Sequence, residues 1–435
     1  MEWYWAFALL LGMVMFFMAL GVPVAFSFIA TNFLAIIIFA GTSGLIQVAD
    51  NSTQLITRFT LGPVPMFIMM GSLFFHTGLA IRVFDGLDVL FGKLPGRLCF
   101  LTVAGGAMFS TLTGSSMANT AMLGSLMVPE MKKRGYNPRM SMGPILGTGG
   151  LAMIIPPSAL GVLLASVANI DVGRLLVAGF LPGFVLAGLY ALMIYGQLKL
   201  NPESAPAYDV EMPPMGERIK IVCVNILPMS LVVFMVIGFI ILGFATPTEA
   251  AAFGVFGVFI LAVLFRALSF KAIYTAVEAT VKVGAMVFFI IMSSTVFSQL
   301  LAFSGASAGL LKWAASFEVS KYMILLVMFV ILIALGMFMD ATSMMLITVP
   351  IFFPLAEALG FDLIWFGLFV LMTFEMAGTT PPFGLLLYVM LGVAPKGTTL
   401  YQVASAAFPF LVCDAILILM LIQWPSIALW LPSLM

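Results

Sequence analysis

Charge is what this 435-residue sequence has least of. Only 8% of its residues are Asp, Glu, Lys or Arg, and 18 of each sign leave a net charge of zero. A soluble globular domain carries about 25%, so an ordinary soluble fold is excluded. Without a basic patch, a nucleic-acid partner is excluded as well. One histidine, His76, and three scattered cysteines, Cys99, Cys223 and Cys413, cannot build a site for a soft metal. The cysteines read as small core residues and His76 as a helix-end or packing residue. No Walker-type phosphate loop occurs, so ATP is not the energy source in this chain. Neither a Ser-His-Asp set nor an HExxH helix argues for an intramembrane enzyme. Ten-residue alternating segments are missing too, which excludes a transmembrane barrel.

What is present is apolar: 63% of the residues are hydrophobic. Runs of more than ~18 such residues are long enough to cross a bilayer. Hydropathy predicts ten spans, at about 3–20, 22–41, 60–80, 139–167, 175–198, 220–244, 247–265, 283–303, 363–392 and 402–432. The first, opening MEWYWAFALLL, lacks a basic leader and a small-residue cleavage site and reads as a retained span. Two further apolar regions, 98–134 and 322–359, are too short for two crossings and a loop. Their centres, TLTGSSMANT and MDATSM, are polar and small, the pattern of re-entrant hairpins. Stretches 43–58, 82–95, 266–282 and, more weakly, 306–318 look amphipathic and suit an interface or a brace. A Pro-rich, charged linker at 199–219 splits the chain.

The two halves repeat. Shifted by 225 positions, Pro129 falls on Pro354, Gly135 on Gly360, Thr148 on Thr373, Ser115 on Asp340, and the doublet Pro156–Pro157 on Pro381–Pro382. Proline inside a helix removes a donor and breaks the ladder, so each half carries a broken span, at about 139–167 and 363–392. Short basic loops stay cytoplasmic. The first hairpin mouth has Arg97, Lys132, Lys133, Arg134 and Arg139; the second has Glu318, Lys321, Glu357 and Asp362. The halves, 1–198 and 220–435, are therefore expected to be inverted relative to each other. Both termini are expected outside and 199–219 inside. Inverted repeats with interrupted helices are the build of secondary transporters, whose freed backbone groups meet ions or substrate at mid-membrane depth.

The chemistry at these places is oxygen. The first tip offers Gly114, Ser115, Ser116 and Asn119, facing Gly147, Thr148, Gly149 and Gly150 before the first break. The second offers Asp340, Thr342 and Ser343, facing Thr373, Glu375, Gly378, Thr379 and Thr380. Such ligands suit a hard monovalent cation such as Na⁺. Thr148, Pro156, Thr373 and Pro381 are candidates for lining a substrate cavity. Asp340 and Glu375 are intramembrane acids, each expected to ligate Na⁺ or carry a proton; Asp340 alternatively caps the helix starting near Thr342. Asp414, in the last span, reads as structural.

VPEMKKRGYNPR at 128–139, IIPPS at 154–158, TPTEAAA at 246–252, GMFMD at 336–340, GTTPPFG at 378–384 and LGVAP at 391–395 together resemble the large membrane subunit of the tripartite ATP-independent periplasmic (TRAP) transporters. The resemblance covers nearly the whole chain. Related stand-alone carriers of the ion-transporter superfamily share the hairpins but not VPEMKKRGY or TPTEAAA. The resemblance implies an all-α polytopic, elevator-type fold in a bacterial inner membrane, surrounded by lipid. It implies Na⁺-driven import of a small carboxylate, delivered by a periplasmic binding protein, with a separate four-span membrane subunit as partner. It places Na⁺ at Ser115, Ser116 and Asn119 with Gly149 and Gly150, and at Asp340 and Thr342 with Thr379 and Thr380. The family often has Asn where this chain has Thr373.

Overall fold

The structure, a computed structural model, describes residues 2–39, 41, 61–92, 94–113, 116–156, 158–205, 213–316 and 319–435. The stretch at 43–58 and residues Gly114, Ser115, Pro157 and Glu318 lie outside them. Among the described residues the chain is all helix, with no strand. The first half holds α1 (Trp3–Ala19), α2 (Val24–Phe39), α3 (Pro63–His76), α4 (Leu79–Phe91), α5 (Arg97–Thr113), α6 (Ser116–Lys133), α7 (Pro138–Ile154), α8 (Ala159–Ala168) and α9 (Val172–Leu200). The second half holds α10 (Met215–Asn225), α11 (Leu227–Ile241), α12 (Pro247–Leu264), α13 (Phe270–Phe303), α14 (Ala306–Ala315), α15 (Lys321–Gly336), α16 (Ala341–Ala358), α17 (Leu363–Thr379), α18 (Leu385–Val393), α19 (Leu400–Gln423) and α20 (Ser426–Leu429). Six helices are long and apolar enough to cross a membrane, or up to eight if each bent pair is one span. The expected first two spans form helices of 17 and 16 residues.

Local signals explain the boundaries. Helix α6 gives way to Gly135 at φ +78° and α16 to Gly360 at φ +76°, a left-handed turn that glycine adopts without strain. Asn137 then caps α7 by accepting from Arg139 N at 2.9 Å. Asp362 caps α17 by accepting from Ile364 N at 2.8 Å and Trp365 N at 3.0 Å. Both helices end on extended residues, Ile155 at ψ 121° and Thr380 at ψ 126°, because the residue before proline is pushed out of the helical region. Each of these pairs is displaced by 225 positions, as are the bounds of α6 and α16 and of α7 and α17. In TPTEAAA, Thr246 and Glu249 close a capping box at the start of α12.

Two groups of helices pack around different centres. Helix α7 is the axis of the first, touching α5, α6, α9, α17 and α19; α15 and α16 pack on α17. In the second, α3 packs on α12 and α13, α13 on α2, α11 on α12, and α1 on α2 and α14. Helix α4 bends 69° away from α3 at Thr77–Gly78 and lies against α10, as a bracing stretch at 82–95 would. One contact holds the first group especially tightly. A Cβ on Gly179 of α9 would overlap the carbonyl oxygen of Ile154, the last residue of α7. Backbone cannot yield cheaply, so Gly179→Ala is expected to cost about 3 kcal/mol by overpacking. A thermal unfolding midpoint equal to wild type would show that the end of α7 moves freely.

The structure corrects four details. Stretch 266–282 is not a separate segment: residues 266–269 form the turn before α13, and 270–282 are the start of that one helix of 34 residues. Residues 269–283 contain no Pro or Gly to stop it, and Glu278 and Lys282 pair one turn apart at 2.6 Å. The linker at 199–219 is helical at both ends, since α9 runs to Leu200 and α10 begins at Met215. Arg97, the first residue of α5, stands at the hairpin mouth but is not a free loop charge. It is buried, bonded to Asp88 and to the Gly92 carbonyl at 3.1 Å, so it ties α5 to α4. Cys223 is exposed rather than core, because α10 buries none of its residues; Cys99 and Cys413 are buried.

Candidate functional site

The hairpin arms α5 and α6, and α15 and α16, leave their tips next to the two breaks. At the first tip α6 starts with Ser116, and Ser116, Asn119 and Thr120 are all buried. Asn119 donates from Nδ2 to the Thr148 carbonyl of α7 at 3.0 Å. This bond pins the tip to the helix before the break. A Cβ on Gly149 would overlap Thr120 Oγ1, so Gly149 lets α7 touch the first turn of α6. Ser116 Oγ and Thr120 Oγ1, one turn apart, are buried with no hydrogen-bond partner among the described residues. Such oxygens cost about 1–3 kcal/mol each when left alone, and hydroxyl oxygens of this kind can ligate a hard cation. Gly150 follows in the same turn of α7, and Ser115 lies outside the described residues.

Across the first break, Ser158 joins the two half-helices. It accepts from Gly161 N at 3.0 Å and donates to the Met153 carbonyl at 2.7 Å. At the second break the small residue is Gly384, where a Cβ would sit 2.7 Å from the Gly378 carbonyl and 2.8 Å from that of Thr380. Pro381, Pro382 and Phe383 are exposed there, and the Phe383 ring lies 5.4 Å from that of Phe338 beside the second tip.

At the second tip Asp340 caps α16. Oδ2 accepts from Thr342 N at 3.0 Å and Ser343 N at 3.3 Å, and Oδ1 accepts from Ser343 Oγ. The capping reading is thus what the structure shows. Oδ2 has both lone pairs engaged, but Oδ1 accepts one bond and keeps a lone pair free, so capping leaves room for a cation. Thr342 is half-buried beside it. The hydroxyls of Thr379 and Thr380 donate to the Met376 carbonyl at 3.2 and 2.6 Å.

A cavity of about 190 Å³ reaches both tips and both breaks, though Asn119, Thr120, Gly149, Thr379 and Thr380 do not line it. Ser116 from the first tip, Asp340 and Thr342 from the second, Met153 and Ala159 from the first break and Gly378 and Leu385 from the second all line it. Its far wall is Val64 and Ile68 of α3 with Val283 and Val287 of α13, so it lies between the two helix groups. The other candidates fall elsewhere. Thr148 and Thr373 are buried and bond back to the Pro144 and Phe369 carbonyls, each at 2.8 Å. Pro156 is buried among Phe67, Leu176 and Ile237, while Pro381 is exposed. Thr120 escaped sequence reading, although its spacing of four from Ser116 puts both on one helical face. His76 ends α3, its Nδ1 2.8 Å from the Ser72 carbonyl, as a helix-end residue should.

The profile of the family described as "Tripartite ATP-independent periplasmic transporter, DctM component" matches residues 11–427. The chain belongs to this family. Its fit to the C4-dicarboxylate TRAP transporter large permease protein DctM of Rhodobacter capsulatus is 29% identical over 445 residues, covering 98% of this chain and 99% of that one. The isethionate TRAP transporter permease protein DctMQ of Oleidesulfovibrio alaskensis is also 29% identical, over 97% of this chain but 65% of its own length. Among solved structures, the YdaH transporter of Alcanivorax borkumensis superposes with a TM-score of 0.65 at 15% identity, covering 89% of this chain and 91% of that one. This last likeness shows the fold alone. DctM membership bears out the resemblance read from VPEMKKRGYNPR and GTTPPFG, and makes the chain a multi-span transport permease, not an enzyme.

Proposed function

We propose that this DctM chain is the large permease subunit of a Na⁺-coupled secondary transporter of a bacterial inner membrane. It imports a small carboxylate handed over by a periplasmic binding protein. The observation that carries the reading is the cavity in which both hairpin tips and both broken helices meet, walled by α3 and α13. Half-helix ends and freed carbonyls at such a place serve an anion and its coupling ions. At about 190 Å³ the cavity is small, which favours a small substrate. Na⁺ is assigned to two places. One is Ser116 and Thr120 with Asn119, Gly149 and Gly150, beside Ser115. The other is Asp340 and Thr342 with Thr379 and Thr380.

The helices centred on α7 and α17 carry both hairpins and would move as one body against α3, α11, α12 and α13, an elevator. The exposed Lys132, Lys133 and Arg139 favour a cytoplasmic mouth for the first hairpin, which puts both termini in the periplasm and inverts the halves. The length by which the isethionate relative exceeds this chain supports a small four-span subunit as partner. Uptake of a C4-dicarboxylate into proteoliposomes, with the chain and its small partner reconstituted together, tests the reading. Uptake is expected only when the binding protein is present outside. Equal uptake without it would make the chain a stand-alone ion-coupled carboxylate carrier.

A further inference from the structure

Three buried titratable side chains meet away from the cavity, where α9, α17 and α19 pack together. Tyr190 is 0% exposed, Glu375 1% and Asp414 2%. The Tyr190 hydroxyl donates to Asp414 Oδ1 and lies 3.4 Å from Glu375 Oε1. Glu375 Oε2 is buried with no partner among the described residues. Cys413 is the other titratable group facing the cluster. No cation faces it. Helices α7, α15 and α16 also pack on α17, but carry Arg139, Lys321 and Glu357 in their terminal turns. The same holds for Arg174 and Lys199 of α9. Tyr388 of α18 is 43% exposed.

Counting protons decides what this arrangement holds. A phenol has one O–H and donates to one acceptor at a time. With that proton directed at Asp414, the Glu375 carboxyl meets the phenol oxygen favourably only by donating a proton of its own. Two adjacent buried carboxylates with no cationic side chain beside them would repel and would each bear the cost of lost hydration. We propose that Tyr190, Glu375 and Asp414 form a proton-binding site, one proton being held between two carboxyls. The chain of donors runs from Glu375 O–H to the Tyr190 oxygen and from Tyr190 O–H to the Asp414 carboxylate. The site is built on the helices that flank α7, so its occupancy sets the charge at the centre of the hairpin-bearing group. It does not depend on the Na⁺ assignment.

Infrared spectroscopy of the full chain in lipid nanodiscs at neutral pH tests this. The wild-type chain is expected to show the carbonyl stretch of a protonated carboxylic acid, shifted on exchange into D₂O. Glu375→Gln supplies an N–H donor to the phenol oxygen in place of the acid. It is expected to unfold at the wild-type temperature and to lose the band. Asp414→Asn replaces the charged end of the chain, so the band should move or vanish there as well. This gives an assignment even if Glu375→Gln folds poorly. A wild-type chain with no protonated-carboxyl band at neutral pH, or a band unchanged in both variants, would overturn the proposal.

Discussion

Asp340→Asn is expected to fold like the wild-type chain and to lose Na⁺-driven uptake. One carboxylate at the start of α16 has two roles here, the cap that the structure shows and the cation ligand proposed above. As an N-cap it accepts from Thr342 N and Ser343 N, and Asn caps about as well as Asp. As the cation ligand proposed above it would supply the negative charge of the second tip, which an amide would not. Losing one charged ligand removes about 2–3 kcal/mol, on the order of a hundredfold in the Na⁺ concentration for half-maximal uptake. Asp340→Ala removes both roles and should additionally lower stability by about 1 kcal/mol. Thermal unfolding and Na⁺ titration of uptake, run on both variants, separate the roles. If Asp340→Asn keeps the wild-type Na⁺ dependence, the carboxylate is only a cap.

The second large effect is expected at Gly149→Ala. Its Cβ would overlap Thr120 Oγ1, forcing α6 away from α7 at the tip where Asn119 reaches the Thr148 carbonyl. Overpacking of this kind costs about 1–3 kcal/mol, and uptake should fall to background because the facing oxygens separate. Combining it with Thr120→Ala removes the clashing hydroxyl. The double variant should regain stability, since the two side chains are in contact and their effects do not add. It should not regain uptake, because Thr120 Oγ1 is then missing. Restored uptake in the double variant would remove Thr120 from the cation site.

Much of this fold is legible in the sequence because its breaks are made locally. Gly135 and Gly360, the caps Asn137 and Asp362, and the prolines at 156 and 381 act through their own backbones, so their recurrence at one spacing marks matching helices. What fails is what depends on distant partners. Arg97 looks like a loop charge until Asp88 is seen beside it. Residues 270–282 look separate because their charges suggest an interface, yet nothing in them stops a helix. Tyr190 carries no signal at all; its meaning comes from Glu375 and Asp414, which lie 185 and 224 positions away. Thr120 was within reach of simple helical periodicity, and only the contact with Gly149 gives it a role. The tip residues Ser116, Asp340 and Thr342 line one cavity, while Thr148 and Thr373 turn their hydroxyls back onto their own helices. Polarity within a span therefore does not by itself mark a ligand.

The central claim is that the tips and breaks couple Na⁺ to transport. Its most direct test is uptake into proteoliposomes containing the chain and its small partner, with a C4-dicarboxylate and its binding protein outside, under an inward Na⁺ gradient or an equal inward K⁺ gradient. Accumulation with Na⁺ and none with K⁺ is the predicted result. Equal accumulation under both gradients would contradict it.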